Sequence, residues 1–565
     1  MVEIKEFLKD KQKIILVLSS FLLGVLLLEL GSYNFDKFQH LVFSRHYAKE
    51  SVFALVDWQT GMGLNVAEYP PLFHQLIALT SNLFSLETSG IILTAFSWVF
   101  LSYNASKFGL EYFEYSEDFF WIFYLLIFVN AGLLKVILVY GMNTTIAGFG
   151  MGFLASRLLL YSFKDNRWFN WILFALSFAL TGFIHHFSFL VFSMFFVGLT
   201  LSHFDFTLDK VFRLSVSLGL VFFILLVGLT PFITSLFEES ITPQTEIPHP
   251  SRNSLTSMDS NLRHKWFYST YTFAFIGIFF PVLLILNGKD GRRLPLYIIS
   301  LFFFILSLGR TTILPKIVLG PLEHWLTYDR FGLLSSFLLT FFTVHIAIDS
   351  FSDRFKDLKK IILVVVLIVV GINFLYNCSV YRRYHYRGLF EDDTSRMRET
   401  ELVSSYLKEY GSEDYRFQTL GYQQRVSKLA LKTDIPTTDT EYYQAREEPW
   451  IRNSGEETID LFSFNNALKF MEKAEEYSVK YVITFENMYE NAEYQPEHLL
   501  SSLDGWERVS TTRNYGRQIA FWENPDTPPL EDKEQLYDFS WGATPLVSLA
   551  VFILLFSMDK GVKKW

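Results

Sequence analysis

The sequence predicts a polytopic α-helical membrane protein with about 12 transmembrane helices and an extracytoplasmic α/β domain before the last of them. Three observations carry that expectation. Half of the 565 residues are hydrophobic and 18% aromatic, only 19% are charged, and mean hydropathy is +0.24, a balance foreign to a water-soluble globule. Apolar runs recur, each of roughly 18 to 22 residues and so long enough to cross a hydrocarbon core of about 30 Å. Charge is uneven: residues 381–540 hold 31 acidic and 19 basic side chains, net −12, which leaves +3 of the overall −9 for everything else.

Taken in order, Met1 to Lys13 carries four lysines and precedes the apolar run Ile14–Leu30, which no small-residue cleavage site follows. That pattern reads as an uncleaved first span with a cytoplasmic amino terminus. Further spans are expected near 90–106, 119–130, 144–161, 171–184, 189–203, 213–235, 268–288, 294–310, 330–350, 361–378 and 541–558. The basic loops at Lys164/Arg167, Lys210/Arg213, Lys289/Arg292/Arg293 and Arg354/Lys356/Lys359/Lys360, and the tail Lys560/Lys563/Lys564, belong in the cytoplasm. All five assignments hold only if Pro70–Phe84, opened by Tyr69-Pro70-Pro71, does not cross fully and lies as a re-entrant or surface helix.

The domains expected are a transmembrane part over 1–378 with a first external loop at 34–88, the α/β domain at 379–540, and a last helix with its basic tail at 541–565. Within 379–540, helices are read at Thr400–Tyr410, Ala467–Tyr477 and Gln495–Leu503. Strands are read at Val479–Phe485, Trp506–Ser510 and Arg517–Trp522. The acidic balance argues against nucleic acid as a partner. Cys378 stands alone, so neither an intramolecular disulfide nor a cysteine zinc site is available.

The first external loop carries the densest chemistry. On a helix leaving the first span, Asp36 and His40 share a face that Ser44 and Tyr47 extend. Asn34 and Asp36 equally suit a helix start, Tyr69-Pro70-Pro71 suits a turn, and His185-His186 suits a polar turn at the interface. Arg310 and Lys316 have the plainer reading of interfacial anchors.

The residues FDKFQH and, some thirty positions on, YPPLFHQLIAL resemble the first external loop of the GT-C superfamily of membrane glycosyltransferases. The likeness is nearest to archaeal membrane proteins labelled 6-pyruvoyl-tetrahydropterin synthase-related, and more distant to protein O-mannosyltransferases. The mannosyltransferase Asp-Glu pair reads Asp36-Lys37 here, the Trp-Trp-Asp-Tyr-Gly signature of oligosaccharyltransferases is absent, and no Asp-x-Asp follows the first span. No cofactor is implied, and a divalent metal is not supported.

The resemblance implies transfer of a sugar from a polyprenyl-phosphate donor to an extracytoplasmic acceptor hydroxyl, with inversion and with Asp36 as the base. The leaving phosphate then needs cationic or hydrogen-bonding partners. Candidates are Arg330, in Tyr328-Asp329-Arg330-Phe331 at the mouth of a span, then His40, with His74, the His185-His186 pair, Arg310, Lys316 and His324 beside them. A lipid or polysaccharide transporter and a non-catalytic envelope assembly protein are the alternatives. The first of these calls for paired charges near the bilayer midplane.

Overall fold

The computed structural model describes residues 2–30, 35–203, 207–238, 293–320, 323, 328–352, 390–420, 426–439, 464–485, 495–514, 517–531 and 534–558. The first helix, α1 (Val2–Leu30), is followed by α2 (Phe35–Lys49), a two-stranded ribbon β1 (Val56–Asp57) and β2 (Leu64–Asn65), and α3 (Leu72–Thr80). The helical bundle continues with α4 (Leu86–Phe113), α5 (Phe120–Phe128), α6 (Asn143–Asp165), α7 (Trp168–Ile184), α8 (His186–His203), α9 (Leu208–Gly228), α10 (Leu294–Ser307) and α11 (Asp329–Ser352). Its apolar faces meet in one large core that includes Trp98, Phe108, Phe153, Trp171 and Phe341.

Among the described residues six helices are long and apolar enough to span a membrane. A pair bent by 48°, Glu117–Phe128 with Gly132–Leu138, makes a seventh if it is one span, and three shorter apolar helices stand at Trp168–Ile184, Leu294–Ser307 and Arg330–His345. The chain is therefore a multi-pass helical membrane protein. These ten coincide with ten of the expected spans; the other two, 268–288 and 361–378, lie outside the described residues.

Two boundaries differ from expectation for local reasons. The span expected at 213–235 stops at Gly228, and a separate helix Thr230–Glu238 follows. Pro231 has no N–H for the Val227 carbonyl, which the Thr230 hydroxyl takes up instead at 3.1 Å. Of residues 70–84 only Leu72–Thr80 is helical, the nine-residue α3, whose rise of about 1.5 Å per residue covers roughly 14 Å, half a hydrocarbon core. Pro71 sits at its N-cap, one residue before the helical position that proline usually takes.

A buried charge pair ties α4 to α6. Arg157 Nε reaches both oxygens of Glu111, at 3.1 and 3.0 Å, its Nη2 donates to Glu111 at 2.7 Å, and its Nη1 donates to Asn104 Oδ1 at 2.9 Å. Glu111 is two residues from the end of α4, and Arg157 lies about 21 Å along α6 from its first residue. The pair thus stands toward one end of the bundle.

Beyond the bundle come α12 (Phe390–Tyr410), β3 (Arg416–Leu420), α13 (Val426–Thr433), α14 (Phe464–Glu472), β4 (Val479–Phe485), α15 (Pro496–Ser502), β5 (Glu507–Asn514), β6 (Arg517–Glu523) and the last helix α16 (Phe539–Met558). The strands form one sheet in the order β3-β4-β6-β5, parallel between β3 and β4 and antiparallel elsewhere. Alternating side chains feed two cores. Val482, Ala520 and Trp522 join Phe470 and Leu500, while Tyr481, Ile483, Ile519 and Phe521 join Val403 and Leu407. The strand β4 has the expected ends, α14 stops five residues short of expectation, and β3 and α13 were not anticipated.

The first loop is clamped between this α/β unit and the bundle. Arg45 on α2 donates to the Ala430 carbonyl at 2.6 Å and to the Thr60 hydroxyl at 3.1 Å, and Ser427 donates to Gln39 Oε1 at 2.7 Å. The tip Gly61-Met62-Gly63 has positive φ throughout (65°, 63° and 111°) and sinks Met62, 1% exposed, into the α/β unit's own core beside Leu420. On the other side Gln75 of α3 donates to the Val52 and Gly542 carbonyls, both at 3.3 Å, and Trp541 Nε1 donates to Tyr47 at 2.9 Å.

Candidate functional site

Helix α2 is a two-faced strut. Gln39, Arg45 and Lys49 face the α/β unit, whereas His40, Ser44 and Tyr47, at helical spacing, face the other way and are buried. Asp36 is the second residue of this helix, one turn before His40 on the same face; its side chain lies outside what the structure describes. Lys37, next to it, is buried and reaches Glu87 at the start of α4 at 3.3 Å.

Four histidines from three segments gather around Tyr69. The Tyr69 ring lies 5.4 Å from His40, 5.4 Å from His74, 6.3 Å from His185 and 5.8 Å from His186 between centroids. Its hydroxyl meets Thr144 Oγ1 at 2.8 Å. His40 Nδ1 and His74 Nε2 are 3.0 Å apart, and His74 Nδ1 is 3.2 Å from the Pro70 carbonyl one turn back, so the Tyr-Pro-Pro turn orients both rings. His185, at the break between α7 and α8, faces Ser188 through Nδ1 at 2.7 Å and Thr145 through Nε2 at 3.4 Å.

Arg330 closes the ring from the start of α11. Its Nε donates to Thr145 Oγ1 at 3.2 Å, its Nη2 touches Met142 Sδ at 3.7 Å, and its guanidinium lies over Phe187, 5.3 Å from the ring centroid. These contacts set it against the N-terminus of α6, where Met142 offers no side-chain cap and the first-turn N–H groups project outward. Among the described residues no carboxylate pairs with Arg330. A fixed cation and the positive end of a 23-residue helix therefore face one place with no carboxylate among the described residues to meet them, an arrangement that binds anions.

The electrostatics keep the two loop histidines neutral. Burial lowers His40 to about 3, with Arg330 adding to the effect, and burial together with His40 holds His74 well below the usual imidazole range. Among the described residues no group of three or more His, Cys, Asp or Glu could hold a metal ion.

Of the residues named from sequence, His40, His74, Arg330 and the His185-His186 pair come together here. Arg310 is half-buried in the field of Tyr328, two residues before Arg330, and Lys316 is exposed on the short helix Leu314–Leu319. His324 lies outside the described residues. Sequence reading gave no role to Thr144, Thr145 or Phe187, and treated Tyr69 as part of a turn. The signal available was Asn143-Thr144-Thr145 opening a helix, small polar residues where a bundle helix usually starts apolar.

No family model matches the sequence, and no curated protein matches it. Solved structures do. The arabinofuranosyltransferase AftD from Mycobacteria superposes with a TM-score of 0.53 at 10% identity, covering 90% of this chain and 40% of that one. ArnT from Cupriavidus metallidurans, in a structure bound to undecaprenyl phosphate, gives 0.43 at 10% identity over 90% of this chain and 98% of that one. An oligosaccharyltransferase from Archaeoglobus fulgidus gives 0.42 at 12% identity over 94% and 77%. The chain thus spans about 40% of the length of AftD. At that identity the AftD match is one of fold alone.

Proposed function

We propose that this protein transfers a sugar from a polyprenyl-phosphate donor to a hydroxyl outside the cytoplasm. In this reading both termini are cytoplasmic, about twelve helices cross the membrane, and residues 379–540 form an extracytoplasmic domain against the acceptor side of the first loop. The acceptor oxygen attacks the anomeric carbon from the face opposite the phosphate. The new C–O bond forms as the bond from that carbon to the phosphate oxygen breaks, and configuration inverts.

Asp36 takes the proton from the attacking hydroxyl. A phosphate ester leaves as a stable anion and needs no proton donor, so one base suffices where a glycosidase uses two carboxylates. What it needs is charge compensation, and Arg330 at the N-terminus of α6 supplies it. His40 and His74 bind or orient the rest of the donor; Arg310 and Lys316 sit further out, suited to guiding an anionic head group inward.

The observation that carries the proposal is Arg330: a guanidinium held by Thr145, Met142 and Phe187, paired with no described carboxylate, on the rim of a buried ring whose helix α2 has Asp36 as its second residue. The test is to follow a radiolabelled polyprenyl-phosphoryl sugar in membranes containing the protein. Incorporation of label should be matched by release of polyprenyl phosphate, and both should fall at least about a hundredfold in Arg330→Gln. Undiminished transfer in that variant would overturn the assignment, and movement of the labelled lipid between leaflets without transfer would favour a transporter.

A further inference from the structure

The hydrogen bonds around His40 decide which of its nitrogens carries the proton. The Pro70 carbonyl can only accept, so His74 Nδ1, 3.2 Å away, is the donor. A neutral His74 then has a bare Nε2, and His40 Nδ1, 3.0 Å from it, must donate to it. A neutral His40 in turn keeps its lone pair on Nε2. No described residue bonds that atom, and it is not among the buried, sealed polar atoms. Burial keeps this ring neutral, with the charge of Arg330 from α11 adding to the effect; His74 from α3 and Tyr69 from the loop also face it.

We infer that His40 Nε2 is the hydrogen-bond acceptor for a hydroxyl of the sugar carried by the lipid donor, and so a specificity-determining contact. The inference rests on the donor reading given above and adds to it a division of labour. A nitrogen presenting a lone pair repels a phosphate oxygen, so in this tautomer His40 is unfit to hold the leaving group, which falls to Arg330. Arg330 bonds Thr145, while Tyr69 bonds the adjacent Thr144 and packs its ring 5.4 Å from that of His40, so the sugar attached to an Arg330-bound phosphate lies along the same ring of side chains that presents Nε2. His74 spends both nitrogens inside the protein and acts through His40 as a positioning residue. A sugar lacking the matching hydroxyl would leave a desolvated acceptor unpaired, which is how such sites reject close analogues.

The test measures binding of undecaprenyl phosphate and of a panel of undecaprenyl-phosphoryl hexoses and pentoses to the full-length protein in nanodiscs, with thermal unfolding to confirm the fold of each variant. Wild type should bind one sugar-bearing lipid more tightly than bare undecaprenyl phosphate. His40→Ala should weaken that lipid about tenfold and leave bare undecaprenyl phosphate within about twofold, while His40→Gln, which restores an acceptor oxygen, should recover most of the loss. Equal weakening of both ligands in His40→Ala, or no preference for any sugar-bearing lipid in wild type, would overturn the hydroxyl contact. Failure of Arg330→Gln to weaken bare undecaprenyl phosphate would instead overturn the phosphate assignment on which it stands.

Discussion

Replacing Arg45 by methionine tests the clamp that holds α2 in place. The Arg45 side chain is buried and donates two hydrogen bonds, to the Ala430 carbonyl at 2.6 Å and to the Thr60 hydroxyl at 3.1 Å, and Thr60 is fully buried. Hydrogen bonds from a charged donor contribute about 1.5 to 3 kcal/mol each, and methionine leaves both acceptors without a partner. Because an apolar side chain of similar length refills the space, the lower end of the sum applies, about 3 kcal/mol, or roughly two powers of ten in the opening equilibrium. The assay is hydrogen exchange on the full-length protein, where amides of Val426–Thr433 should exchange about a hundredfold faster in Arg45→Met. Lys49→Met is the control. Its ion pair with Asp434 is 2.6 Å long, but the side chains are 41% and 55% exposed, so screening leaves it at most about 0.5 kcal/mol and a change near twofold. Unchanged protection at Val426–Thr433 in Arg45→Met would refute the view that the α/β unit is fastened to the first loop through this residue.

Other outcomes follow from the same contacts. Tyr69→Phe keeps the ring among the histidines and removes only the bond to Thr144; donor turnover should fall about tenfold with thermal stability changed by no more than about 1.5 kcal/mol, and a wild-type rate would exclude the hydroxyl from the site. His40 and His74 bind fewer protons folded than unfolded below the ordinary imidazole range, so acidification favours the unfolded chain. Stability should therefore decline as pH falls from about 6.5 toward 4, and the double variant His40→Gln/His74→Gln should flatten that slope in thermal unfolding. In Gly152→Ala the new methyl group would stand 2.4 Å from the Phe192 ring, a clash that should cost about 1 to 3 kcal/mol and lower the unfolding temperature.

Much of the bundle was legible because a span declares itself by local composition alone. Ile14–Leu30 and Phe539–Met558 need no tertiary context to be recognised. The limits were places where one residue redirects the backbone, as Pro231 does after α9. In the α/β unit, β4 was plain from the run Val479–Phe485, but β3 was hidden. Arg416, Gln418 and Thr419 of Arg-Phe-Gln-Thr-Leu read as surface residues, yet every position of that strand is buried because polar side chains are satisfied within the unit, Arg416 by the Tyr477 carbonyl and Thr419 by Asp439.

The site divides the same way. His40, His74 and Arg330 were recognisable as charged or titratable groups in loops that membrane proteins usually leave bland. Tyr69 and Thr145 were not, since a tyrosine beside two prolines and a threonine at a helix start each have an ordinary local explanation. Only the approach of α6 to the first loop and to the start of α11 reveals them, through contacts 75 and 185 residues apart in the chain.

The central claim is that Asp36 accepts the proton of the attacking hydroxyl, and the most direct measurement is single-turnover transfer from a bound, labelled polyprenyl-phosphoryl sugar in Asp36→Asn against wild type. The account predicts donor binding within about twofold and a transfer rate lowered by about 10² to 10⁴. Transfer by Asp36→Asn within a few-fold of wild type, at equal donor occupancy, would contradict it.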